Sequence, residues 1–217
     1  MLSATLLDSI VAMGLSMALV VVALAVAVAL RPWRQLRGAP IWHPWLACLV
    51  LLPWVWAAQR VMPGGVAVQL SGACLMVLML GWPLTVLSLV PIAALGAWLG
   101  GIGWAEAVDH LAWNGIVAAT FALLIGLATR RWLPKHPFVF ILGRGFIVTA
   151  LAMMAAGALS AHLTPAPQST EIGSVLLGHW LMAWGEAFST GMLVAIFVAF
   201  RPQWLASWSD ERYLKDA

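Results

Sequence analysis

Glu186 is the residue whose chemistry most needs explaining. It stands in the stretch His179-Trp180-Leu181-Met182-Ala183-Trp184-Gly185-Glu186, with Thr190 one helical turn further on, inside an apolar run over residues 173–200. An ionisable side chain at the centre of a membrane helix costs about 2.5 to 3.5 kcal/mol on insertion scales, so it needs partners or a task. His179 and Glu186 are seven residues apart, which places them on one helix face two turns from each other. A second constellation, Glu106, His110 and Asn114, repeats at steps of four with Asp109 beside it, and forms a polar stripe that descends into the next apolar run. Carboxyl, imidazole and carboxamide groups on facing helices could hold a cation or a polar solute. Two readings stay open: Glu186 is either a hydrogen-bonded structural carboxyl or part of a binding site, and His110 is either a polar cap or a ligand. Glu106 and Asp109 also fit a solvated helix end. His179 and Glu186 are the only plausible acid/base pair. Signatures such as GxSxG, HExxH, a P-loop or a dinucleotide fingerprint do not occur, so no enzyme activity and no cofactor are expected.

The elements that must position these groups are apolar runs. They lie at about residues 4–30, 40–58, 66–82, 83–101, 111–129, 138–163 and 173–200, seven candidate spans. The chain is 63% hydrophobic and 9% charged, with a mean hydropathy of +0.97. A water-soluble core of 217 residues cannot hide that much apolar surface, so lipid is its solvent. A hydrocarbon layer about 30 Å thick takes about 20 helical residues. Period-two alternation is absent, which argues against a barrel.

Charge then gives an orientation. The connection after the first run carries Arg31, Arg34 and Arg37, that after the fifth carries Arg130, Arg131 and Lys135, and the tail carries Arg201, Arg212 and Lys215. With Arg144, these place all of the 11 Lys and Arg residues except Arg60 on one side. Asp8, Glu106, Asp109 and Glu171 collect on the other. Positive charge stays cytoplasmic, so the N-terminus is expected outside and the C-terminus inside. The expectation is an all-α polytopic membrane protein: one seven-helix domain over 1–200 and a cytoplasmic amphipathic tail over 201–217. Topology accounts for the formal charge of +3, and no nucleic-acid partner is implied.

Smaller features follow from the same frame. The first 30 residues lack a basic leader and are stopped by three arginines, which reads as a retained helix rather than a cleaved signal. Gly81, Trp82 and Pro83 break a long apolar stretch into a helical pair with a tight turn, or into a re-entrant segment. In the first run Gly14, Ala18, Ala23, Ala25, Ala27 and Ala29 offer close approach to another helix, or serve as apolar filler. Many of the 14 Trp residues stand at run ends, where an indole ring anchors at the headgroups. Trp204 and Trp208 suggest a short helix on the inner leaflet or a docking surface for a partner. Cys48 and Cys74 have neither metal nor disulfide spacing and are expected to be packing thiols.

Three stretches resemble the CbiM/NikM-type permeases, the substrate-capturing membrane subunits of energy-coupling factor transporters for cobalt and nickel. Val68-Gln69-Leu70-Ser71-Gly72-Ala73, followed by Leu80-Gly81-Trp82, is similar to that family's histidine-leucine-x-glycine segment and its leucine-glycine-proline-tryptophan turn. Asn114-Gly115 is similar to its asparagine-methionine-glycine element, and His179 through Gly191 to its last helix, which bears His, Glu and Thr-Gly. The resemblance implies a bacterial inner-membrane protein without its own ATPase, which works with a transmembrane coupling subunit and ATP-binding subunits. It implies a substrate-binding region at Gln69, Asn114, His179, Glu186 and His110. In the family the metal is held by the N-terminal amine, a histidine after the first methionine and the histidine of the histidine-leucine segment. Here those two histidine positions are Leu2 and Gln69, and a carboxamide is a poor substitute for imidazole toward Ni²⁺ or Co²⁺. Uptake of a transition-metal ion or a small metal complex is the leading expectation. The alternative is a non-transporting accessory or assembly protein of a larger membrane complex.

Overall fold

The computed structural model describes residues 2–33, 41–58, 60–61, 67–134, 136–164, 172–209 and 213. The apolar runs become helices: α1 (Leu2–Ala29) and α2 (Trp42–Ala57) come first. A short antiparallel pair follows, β1 (Arg60–Val61) with β2 (Ala67–Val68), in which Arg60 faces Val68 and Val61 faces Ala67. Then come α3 (Ala73–Leu80), α4 (Trp82–Gly100), α5 (Trp104–Trp132), α6 (Val139–Leu163) and α7 (Ile172–Phe200). Two stretches are wound as wide π turns, Leu111–Val117 within α5 and Val139–Ile147 at the start of α6.

Among the described residues, five helices are long and apolar enough to cross a membrane: α4, α5, α6, α7 and, over Ile10–Ala29, α1. The α2 helix is apolar but shorter, at 16 residues. The expectation of a continuous third span over 66–82 is corrected. That run is a short strand, an irregular stretch over 69–72 and an eight-residue helix, the helix about 12 Å long at 1.5 Å per residue. Glycine sets both breaks. Gly72 (φ 69°) opens α3 and Gly81 (φ 77°) closes it, a left-handed half of backbone space that residues with a Cβ avoid. Pro83 in the first turn of α4 then restarts the chain as a new helix.

Small residues set the helix contacts. A Cβ on Gly96 would lie 2.8 Å from that of Trp56, and one on Gly100 would lie 3.2 Å from Ala57 Cα, so α2 and α4 touch almost backbone to backbone. On α1 the buried seam is Ser16, Val20, Ala23 and Ala27, while Gly14, Ala18, Ala25 and Ala29 are exposed. The small-residue stripe is therefore divided between an inner and an outer face. Large apolar side chains such as Val22, Trp98, Phe188 and Phe200 stand exposed around the bundle, as a surface solvated by lipid requires. Trp104 and Trp132 are exposed at the two ends of α5, which suits interfacial anchoring.

Over 201–209 the tail does not form the short helix that Trp204 and Trp208 suggest. Pro202–Trp204 is a single 3₁₀ turn, after which the chain runs under α3. Ala206 N–H donates to Met79 O at 3.1 Å, and Ser207 N–H and Oγ–H both donate to Leu78 O, at 3.2 and 2.9 Å. A helix leaves its last four carbonyls without internal partners, and the tail supplies donors to two of those in α3. Leu205 and Tyr213 are buried. Phe140 of α6 meets Trp208 and Tyr213 edge to face, and those two rings stack on each other at 4.7 Å. Trp204 packs on Phe197 instead of lying one turn from Trp208 on a helix.

Candidate functional site

The interrupted third element needs partners for its N-terminus, and Glu186 is the residue that provides them. Glu186 is the central residue of α7 and is 1% exposed. Its Oε2 accepts from Ser71 N–H at 2.8 Å and its Oε1 from Gly72 N–H at 2.6 Å. Both carboxyl oxygens thus serve as acceptors at the opening of α3, where backbone N–H groups have no helical partners and the helix dipole favours negative charge. An unsatisfied N–H in a lipid-bounded core would cost several kcal/mol. The carboxyl and the broken helix are therefore mutually necessary.

Two further elements, α2 and α5, hold the irregular stretch 69–72. Trp56 of α2 donates its indole N–H to Ser71 O at 2.9 Å, and Gln69 returns a bond from Nε2 to Trp56 O at 3.1 Å. Ser71 Oγ donates to Asn114 O at 2.6 Å and accepts from Ala73 N–H at 3.3 Å. The wide turns of α5 make that carbonyl available: Ala118 N–H donates to Trp113 O and Gly115 O and passes over Asn114. Interruptions of this kind are frequent at functional sites. Irregular backbone at membrane depth is tolerated only where protein or a cavity surrounds it, and Gln69 and Ser71 are both buried.

Gln69 Oε1 is the exception in this network. It is buried and no described group donates to it, so the stretch presents one free carboxamide oxygen. An unpaired buried acceptor is costly.

The other sequence candidates fall in different places. Asn114 joins the network through its main-chain carbonyl. Glu186 reaches it only by way of Ser71, and the bonds of the Glu186 carboxyl go to the 71–72 backbone, not to His179. His179 packs its ring on Gly157 of α6, where an added Cβ would fall 2.5 Å from the imidazole Cγ. His110 lies beside a separate polar link: Ser16 Oγ of α1 donates to Asp109 Oδ1 at 2.8 Å and accepts from Trp113 Nε1–H at 3.2 Å. His110 Nδ1 is buried without a partner among the described residues. Among the described residues, no three His, Cys, Asp or Glu side chains come together as a metal site.

Sequence reasoning missed Trp56, Ser71 and Ser16. Ser16 carried a signal, since a hydroxyl in the apolar first run invites a search for its acceptor. Ser71 and Trp56 act largely through backbone geometry that side-chain types do not announce.

A bundle of apolar helices around an interrupted segment, with an exposed hydrophobic perimeter, defines a multi-pass membrane protein. Residues 5–204 match the family described as the cobalt uptake substrate-specific transmembrane region, CbiM, and the chain belongs to that family. It is a family of transport components rather than of enzymes. No curated protein and no solved structure matched the chain.

Proposed function

We propose that this chain is the solute-capturing membrane subunit of an energy-coupling factor transporter in a bacterial inner membrane, and that it takes up a transition-metal ion or a small metal complex. The observation that supports this reading is the stretch from Gln69 to Gly72, fixed by Trp56, Asn114 and Glu186 with one buried carboxamide oxygen left open. A rigid non-helical segment inside a helical bundle is where transporters place their substrate contacts. Gln69 Oε1 would be the substrate-facing group. Glu186 and the Asn114 main chain would position the segment, and His110 and His179 would stand at its approaches. An oxygen donor where the family has imidazole favours a ligand that offers N–H or O–H donors, such as a small metal complex, over a bare Ni²⁺ or Co²⁺ ion. The accessory or assembly reading draws on the outer face of α1, where Ala25 and Ala29 stand exposed.

Two experiments test this reading. The purified protein should retain less than stoichiometric Ni²⁺ or Co²⁺ by elemental analysis, and Gln69→His with Leu2→His, which supplies two imidazole nitrogens, should raise retention by about tenfold or more, or about 1.4 kcal/mol. Stoichiometric metal in the unaltered protein, lost on adding one residue to its N-terminus, would overturn the substitution of oxygen for imidazole. Co-purification with ATP-binding and coupling subunits, with solute uptake that stops when they are deleted, supports transport. Co-purification with a different membrane complex and no uptake selects the accessory reading.

The orientation is tested by labelling. Cys48 and Cys74 are both free and buried, so they can be replaced by Ala before single cysteines are introduced. With the N-terminus outside, cysteines at Arg34, Lys135 or Lys215 should resist an impermeant thiol reagent in intact cells, and one at Gln168 should react. Arg34, Lys135, Gln168 and Lys215 lie outside the described residues. Labelling of the Lys135 position from outside reverses the orientation.

A further inference from the structure

Where α5 ends and α6 begins, Thr129, Arg130, Leu133, Phe140, Arg144 and Tyr213 are among the residues that line a cavity of about 240 Å³. The transport reading makes no use of it. Arg144 sits within the wide-turn start of α6. Its Nε and Nη1 are buried with no hydrogen-bond partner among the described residues, and its guanidinium lies 5.6 Å from the centre of the Phe140 ring. The guanidinium lies against Gly126 of α5, where an added Cβ would stand in ordinary contact, 3.5 Å from Nη2. Guanidinium N–H donors that are buried without acceptors are unfavourable. The site therefore calls for an anion.

No described carboxylate can serve. Glu106 and Asp109 lie in the first turns of α5, whereas the cavity is at its far end, about 30 Å away at 1.5 Å per residue. Glu186 is committed to Ser71 and Gly72. Arg130, an exposed residue, also lines the cavity, and Arg131 follows it in the sequence. Two arginines lining one small pocket at a helix end suit the several oxygens of a phosphate group, which arginine grips with paired N–H donors. Basic pockets between helices at a membrane surface meet such groups in lipid headgroups.

We propose that this cavity binds a phosphate group, supplied either by the headgroup of an anionic phospholipid or by free phosphate. The test is thermal unfolding of the full chain, purified in an uncharged detergent, with phosphatidylglycerol, phosphatidylcholine or inorganic phosphate added at matched ionic strength. Phosphatidylglycerol should raise the midpoint by about 4 °C or more. The shift should nearly vanish in Arg144→Met and fall by about half in Arg130→Gln, as two arginines lining one pocket imply. A matching response to inorganic phosphate identifies free phosphate as sufficient, and a response to phosphatidylglycerol alone identifies the headgroup. If Arg144→Met fails to accumulate, Arg130→Gln and Arg144→Lys carry the comparison. Equal shifts with phosphatidylcholine and phosphatidylglycerol and none with phosphate would assign the effect to acyl chains and overturn the proposal. So would a shift that survives in the arginine variants, or no shift in the unaltered protein.

Discussion

Replacing Glu186 with leucine should prevent this protein from accumulating in a membrane, and Glu186→Gln should destabilise it severely without preventing insertion. Leucine removes the acceptors of both Ser71 N–H and Gly72 N–H and leaves two buried donors at the head of α3. Each lost partner costs about 1 to 3 kcal/mol, more where a charged group had been the acceptor. Glutamine is close in shape but not in chemistry here. Its single amide oxygen can accept from one of the two N–H groups, and its NH₂ must then face the other, donor against donor. A loss of about 2 to 4 kcal/mol follows. In a chain of this size each kcal/mol moves the unfolding midpoint by about 2 to 4 °C, so a fall on the order of 10 °C is expected. Thermal unfolding of the purified variant in detergent reads it directly. A Glu186→Gln protein that melts like the unaltered one yet has lost uptake would mean that the carboxyl contacts solute and that its hydrogen bonds to the loop are incidental.

The same chemistry explains what could be read in advance. Glu186 was conspicuous because an apolar run contained one carboxyl, and its burial in α7 agrees with the need for hydrogen-bond partners. The partners themselves were not legible. The resemblance groups Asn114 and Gln69 with Glu186 in one binding region, but the carboxyl bonds the main chain of Ser71 and Gly72. Main-chain donors become available only where a helix starts, and the apolar run over 66–82 gave no sign that its helix starts at residue 73. Gly72 held that information. Glycine in an apolar run has several uses, however, and φ 69° emerges only once Leu52, Trp56 and Glu186 are in place around it. Long spans such as α6 and α7 were legible because length and hydropathy alone define them. The wide turns of α5 were not, since nothing in Leu111–Val117 distinguishes a π turn from an α turn by composition.

Removal of the tail after Arg201 should be nearly as damaging as Glu186→Leu, for a parallel reason at the opposite end of the same short helix. An eight-residue helix has almost no internal hydrogen bonding to spare, because four donors and four acceptors at its ends are unpaired by construction. Glu186 covers the donor end, and Ala206 and Ser207 cover the Leu78 and Met79 carbonyls at the acceptor end. The deletion also strips Leu205 and Tyr213 from the base of the bundle, both of which are buried, and uncovers Phe140. Smaller substitutions separate these effects. Ser207→Ala loses only the hydroxyl bond and keeps the main-chain one, so it should cost about 0.5 to 1.5 kcal/mol. Leu205→Ala removes packing alone and should cost about 2 to 5 kcal/mol. The deletion should exceed their sum, with little protein in the membrane fraction. If the shortened chain instead accumulates and melts with the full-length midpoint, then α3 does not depend on the tail, and water at that end of the bundle is sufficient to satisfy its carbonyls.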